Sequence, residues 1–217
     1  MDIKYLGHAS FQIKGKTAVV VTDPFDSKMV GLKYPKVDAD IVTVSHNHGD
    51  HNQTALVGGN PLVVDWPGEY EKQNVRITGY PTYHDKVKGA EKGENVMYKI
   101  EMEGLSILHC GDLGHTLEDK FSEQVGTIDV LMIPVGGFYT INADEANAVI
   151  RELEPSIVIP MHYNQEGMNQ EAFAQVAPLA EFLKKMGAES VEPVSKLTVK
   201  KEELTEGMKI VPMVISA

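Results

Sequence analysis

The stretch SHNHGDHN, residues 45–52, constrains this chain more than any other. It follows ADIVTVS, residues 39–45, a β-branched and nearly continuous apolar run. Such a run marks a strand buried on both faces. His46, His48, Asp50 and His51 therefore stand where a buried strand emerges from the core. The fold must bury the strand and still gather four ligand-type side chains at its end. A purification tag would be terminal, and this cluster is internal.

Along an extended loop, positions i and i+2 point the same way. His46 and His48 can thus grip one ion from one side. Asp50 and His51 are better placed for a second. Two ions need more ligands than this loop supplies, so distant residues must complete the set. His84 in PTYHD, Asp112 in HCGDLGH and His162 in PMHYN are candidates. Each follows a strand-like run, which fixes a ligand while the loop frees its head group. A carboxylate after Gly111 can reach out and bridge two ions.

The remaining chain supplies strands first and strand–helix alternation later. Strands are expected at 2–6, 9–13, 17–22, 39–45, 62–65, 75–80, 95–102, 104–109, 128–134 and 156–160. A hairpin is expected through Glu103-Gly104, and a loop over 26–38. Helices are expected at 116–124 and at 143–153, the latter with Asn142 and Glu145 at capping-box spacing. The segment 170–186 reads as helical but split by Pro178, with Gly187 as its C-cap. Strand-like pieces return from 191. Residues 1–217 read as one α/β domain with helices covering a sheet or two sheets.

HNHGDH fits the HxHxDH signature of the metallo-β-lactamase superfamily, and the later candidates follow in that family's order. GHASF, TDPF, HCGDLGH, IPVGG and IPMHY together resemble the small single-domain UlaG-like hydrolases related to ascorbate-6-phosphate lactonase. The resemblance covers about residues 3–163. It implies a four-layer αββα sandwich with a binuclear metal site at one edge. By family pattern His46, His48 and His84 hold the first ion, Asp50, His51 and His162 the second, and Asp112 bridges them. Asp23 in VTDPF matches an aspartate that braces the histidine loop. The family's redox branch has glutamate where this chain has His48, which favours hydrolysis.

Two such ions can share a water and make it a hydroxide near neutral pH. The expected activity is cleavage of a small ester, lactone or phosphoester, with Asp50 and Asp112 as the catalytic carboxylates. Zinc fits best, and manganese or iron also suit this donor set. The alternatives are a nuclease or phosphodiesterase of the same fold, or a metal-binding protein without turnover. A net charge of −11 opposes nucleic acid as a partner. Arg76 and Arg151 are the only arginines, which disfavours a substrate that needs a guanidinium fork.

Other residues carry open readings. His8 either touches substrate or makes a structural hydrogen bond. His115 faces the pocket or serves at a helix start or the surface. Tyr139 and Tyr163 could offer a phenol to a developing oxyanion, or simply pack. His109 and Cys110 read as core, and Trp66 and Tyr70 as a sheet-edge cap. With one cysteine, no leader-like segment and no run of 18 apolar residues, a cytoplasmic protein with no membrane span is expected. Oligomers remain compatible with the sequence.

Overall fold

The computed structural model describes residues 1–118, 120–205 and 207–216. Its strands in chain order begin with β1 (Asp2–Gly7), β2 (Ser10–Lys14), β3 (Val19–Thr22), β4 (Val37–Asp38), β5 (Ile41–Thr43), β6 (Val57–Gly58) and β7 (Leu62–Val64). They continue with β8 (Gly68–Lys72), β9 (Val75–Tyr83), β10 (Glu94–Met102), β11 (Leu105–His109), β12 (Val130–Pro134), β13 (Ile157–Met161), β14 (Leu197–Thr198) and β15 (Lys209–Ile210). The helices are α1 (Ser27–Val30), α2 (Phe121–Val125), α3 (Ala143–Leu153), α4 (Gln170–Phe173) and α5 (Leu179–Lys185).

Two sheets carry the core. One has six strands in the order β14-β1-β2-β3-β5-β7, the other seven in the order β15-β13-β12-β11-β10-β9-β8. Strand alternation sorts the side chains. Ile3, Tyr5, Phe11, Ile13 and Val20 face inward and join Ile77, Tyr98, Ile100 and Ile107 of the second sheet. Leu6, Val21 and Val42 face the other way, with Phe25, Val30 and Phe173, so α1 and α4 lie on that side. Val149, Ile150 and Leu153 of α3 and Phe182 of α5 pack on the second sheet. The result is the αββα sandwich. Full burial of each large apolar side chain contributes roughly 1.5–3 kcal/mol.

Several local expectations needed correction. Within the expected loop 26–38, Asp26 caps the short helix α1 by accepting the backbone N–H groups of Lys28 and Met29. The strand expected over 39–45 is shorter, Ile41–Thr43, although Asp40 still bonds to Val19 O and Val44 to Val64 O on either side of it. GEYEK at 68–72 is a strand the sequence reading passed over. It is an edge strand with no apolar alternation to betray it. Of the helix expected at 116–124, only Phe121–Val125 is helical, and Asp119 lies outside the described residues. Upstream, Gly114 N–H donates to Tyr83 O and Leu113 O accepts from Ile141 N–H.

Other local chemistry works as the residues dictate. Glu103 (φ 55°) and Gly104 (φ 74°) turn between Met102 and Leu105, as a two-residue hairpin loop with positive φ at both positions requires. α3 spans Ala143–Leu153 with the Asn142–Glu145 capping box formed. Pro178 is the N-cap of α5, one position earlier than a first-turn proline. The C-cap of α5 is Met186, and Gly187, expected in that place, follows one residue later at φ 64°.

The strand directions position the site. β3, β5 and β7 run parallel, as do β11, β12 and β13. His8, Asp23, His46, His84, Asp112 and His162 all lie just beyond strand C-termini. Ligand sites of open α/β sheets favour that edge.

Candidate metal centre

The structure brings all seven expected ligands to one edge. Asp112 is at the centre. Its Oδ2 lies 3.9 Å from His46 Nε2, 3.3 Å from His51 Nε2, 3.3 Å from His84 Nε2 and 3.2 Å from His162 Nε2. The ring of His46 stands 4.5 Å from that of His48 and 4.8 Å from that of His84, centroid to centroid. These three histidines form one group of potential ligands, and Asp50, His51, His162 and His8 form another.

The donor set fits metal ions. His46 Nε2, His51 Nε2, His162 Nε2 and Asp112 Oδ1 are buried and have no hydrogen-bond partner among the described residues. Orphaned buried polar atoms are costly. Here nitrogen lone pairs and a carboxylate converge on shared space, the arrangement a divalent cation satisfies.

Asp23 holds the histidine loop from below. It accepts Ser45 N–H (2.8 Å) and Ser45 Oγ–H (2.5 Å), and its Oδ2 pairs with His51 Nδ1 at 2.8 Å. This leaves His51 Nε2 to face the cluster, the usual orientation of a ligand imidazole by a carboxylate. Burial raises the Asp23 carboxyl, but His109, His51 and Ser45 outweigh it and pull it below its ordinary value. Burial likewise opposes charge on Asp112 and Asp50, yet neighbouring histidines win and hold both carboxyls ionised.

Asn95, which the sequence reading did not single out, fixes Asp112. Its Oδ1 accepts Asp112 N–H at 2.9 Å, while its Nδ2 donates to Cys110 O and Thr82 Oγ1. Asparagine inside a strand is uncommon, and that was the available signal. Gly111 (φ 55°) permits the turn, since a Cβ there would meet Asn95 and Ser45. His8, Asp23 and His162 have φ of 56°, 38° and 51°. Non-glycine residues in this region cost of order 1–3 kcal/mol each and cluster at functional sites.

His8 is fully buried and its Nε2 lies 3.2 Å from Asp50 Oδ2. Burial and the neighbouring His162 push it down to about 4, so it is neutral and donates to Asp50. His109 pairs with Ala9 O at 2.8 Å and lies in the core. Burial pushes the Cys110 thiol far up. His115 does not join the cluster. It accepts Tyr83 N–H through Nε2 and pairs with Thr116 O, bracing the strand end that carries His84. Tyr163 is buried, with its hydroxyl turned to Met213 O. Tyr139 lines the site, but its hydroxyl donates to Ala172 O. Neither phenol is aimed at the cluster.

One signal-poor loop also reaches the rim. Asp85 accepts the backbone N–H groups of Val87, Gly89, Glu91 and Lys92. Those bonds outweigh burial and hold its carboxyl at about 2. Lys92, at the end of this loop, reaches across to Phe138 O (2.9 Å) and Tyr139 O (2.8 Å).

Two packed sheets with a His/Asp cluster at their shared edge define a class, the metal-dependent hydrolases of metallo-β-lactamase fold. The chain belongs to the metallo-β-lactamase superfamily, the Beta-lactamase superfamily domain matching residues 2–162. A UPF0173 metal-dependent hydrolase of Thermococcus onnurineus is 30% identical over 192 residues, covering 76% of this chain and 85% of the relative. A Thermotoga maritima protein, assigned as a Zn-dependent hydrolase of this superfamily, superposes with a TM-score of 0.79 and 38% identity, covering 98% and 97% of the two chains. Igni18, a metallo hydrolase of Ignicoccus hospitalis, shares the fold at 21% identity and a TM-score of 0.68, with 92% and 99% covered.

Proposed function

We propose that this metal-dependent hydrolase works with two divalent ions, zinc foremost, and cleaves a small ester, lactone or phosphoester by attack of water. One observation carries the reading. Asp112 Oδ2 lies 3.2–3.9 Å from the Nε2 atoms of His46, His84, His51 and His162, within reach of both groups of potential ligands. His46, His48 and His84 would hold one ion, Asp50, His51 and His162 the other, with Asp112 shared. When bound, the ions supply Lewis-acid activation of the water and of the scissile group.

The chain's own residues do the rest. Asp50 accepts from His8 Nε2 and remains an acceptor that orients the attacking water and takes its proton. Asp23 keeps the His51 ring in one tautomer and one orientation. The adjoining hollow, about 390 Å³, suits a small molecule. No helix among the described residues is long and apolar enough to cross a membrane, in keeping with a cytoplasmic setting. Asp112→Ala is the direct test. Metal content should fall, and hydrolysis of generic esters and phosphodiesters should drop to background. Undiminished turnover in that variant would falsify the reading. Metal-loaded wild-type protein that turns over nothing in such a panel would leave only metal binding.

A further inference from the structure

Two hollows meet at the rim of the cluster. One, of about 390 Å³, is walled by Met29, Tyr139, Ala172 and Phe173. The other, of about 320 Å³, runs past Trp66, Pro67 and Val96. His48 and Lys92 line both. The larger has room for roughly a dozen water-sized groups. Trp66 is 69% exposed, and its indole makes no ring contact among the described residues. A large exposed aromatic beside a metal cleft marks a binding surface more than packing.

The charges decide what kind of arm each hollow takes. Arg76 lies in a separate hollow with Lys99 and Asp129, and Arg151 in another beside Glu154. No guanidinium borders the cluster. Lys92 already gives two of its donors to the carbonyls of Phe138 and Tyr139. Glu91 lines the first hollow, and Asp65 and Glu94 the second. A phosphate dianion would meet acidic groups and no fork. Uncharged arms meet no such penalty.

We propose that the substrate is an open-chain carboxylic ester with two unlike arms, an aliphatic one in the Met29–Phe173 hollow and a planar one against Trp66. This rests on the hydrolase reading above. In the reaction the oxygen of water bonds to the acyl carbon and the ester C–O bond breaks. One proton of that water leaves with the alcohol, and the other is released when the new acid ionises.

Trp66 is the only tryptophan, so its fluorescence reports occupancy without turnover. Metal-loaded full-length protein would be titrated with phenyl alkyl ketones, which mimic the ester but are not hydrolysed. Quenching is expected, with affinity rising up to about fourfold per added methylene between methyl and pentyl ketones. Met29→Glu, at an exposed position, should flatten that series. Trp66→Ala should raise KM for phenyl esters about fivefold more than for methyl esters. Absence of quenching, affinity independent of chain length, or tighter binding of phenyl phosphate than of the ketones would each overturn the proposal. Ketones that bind in the expected series while no ester is cleaved would support the two-armed site and sink the hydrolase reading. Turnover of phosphodiesters without ketone binding would do the reverse.

Discussion

The two halves of the cluster are built differently. His51, His162 and His8 are at most 1% exposed, and Asp50 is 8% exposed. His51 is tied to Asp23, and Asp50 to His8. That half is a floor. His46, His48 and His84 form a rim, with His48 exposed. His84 Nδ1 has no partner among the described residues, as is also true of His162 Nδ1 in the floor, and His46 is oriented only by Ser45 Oγ, at 3.0 Å, so the floor's extra order lies in His51 and Asp50. A buried imidazole held by a carboxylate, as His51 is by Asp23, loses little freedom when it binds metal, whereas an imidazole without such a partner must be ordered by the ion itself. The difference teaches that the floor should bind its ion first and release it last.

The largest effect should come from cutting the floor's support. Asp23→Ala leaves His51 Nδ1, Ser45 N–H and Ser45 Oγ without their shared acceptor in a fully buried position. The cost should be about 3–5 kcal/mol of stability, read by chemical denaturation, together with loss of one ion per chain. A variant that keeps both ions and its midpoint would show that the floor does not depend on Asp23.

Gly114→Ala attacks the rim with less force. A Cβ there would run into the backbone of His84 and Asp85, so the rim ligand must shift. Affinity for the rim ion should fall about 10–100-fold, while the floor ion stays. Equilibrium dialysis against graded zinc would separate the two. Equal weakening of both sites would erase the distinction between rim and floor. Without any mutation, a slow chelator should strip the wild-type protein in two phases, about one ion in each. Release in a single phase would mean that the two halves act as one.

The residues of the cluster were legible in the sequence because each is local chemistry at the end of one strand. HNHGDH, GD and PMH keep their character however the strands pack. The capped helix over 143–153 and the Glu103-Gly104 turn were legible for the same reason. What could not be read depends on segments that meet only in three dimensions. Met29 and Phe173 form one wall from opposite ends of the chain. Lys92 reaches the rim because the carboxylate of Asp85 gathers four backbone N–H groups, and the run DKVKGAEK reads only as a polar loop. Strand β8 has no apolar pattern and exists because β9 offers it an edge. His115 illustrates the converse. Its place three residues after Asp112 left the pocket open beside a helix-start or surface role, and only the fold shows its ring turned to Tyr83 and Thr116.

The smallest effect should come from the loop's own surface bond. Asn52 Nδ2 donates to Asn47 Oδ1 at 2.6 Å, across the turn that carries His48 and Asp50, and Asn47 is exposed. Water competes for both groups there, so Asn47→Ala should change stability by less than about 0.5 kcal/mol. Affinity for the rim ion should move less than about twofold, measured in the same dialysis as Gly114→Ala. Asn47 lies between His46 and His48 in sequence but takes no part in orienting either imidazole. If the rim ion were lost in this variant, the rim would owe its order to the loop's surface bonding. Its weakness relative to the floor would then come from a loose loop, and not from histidines that lack oriented partners.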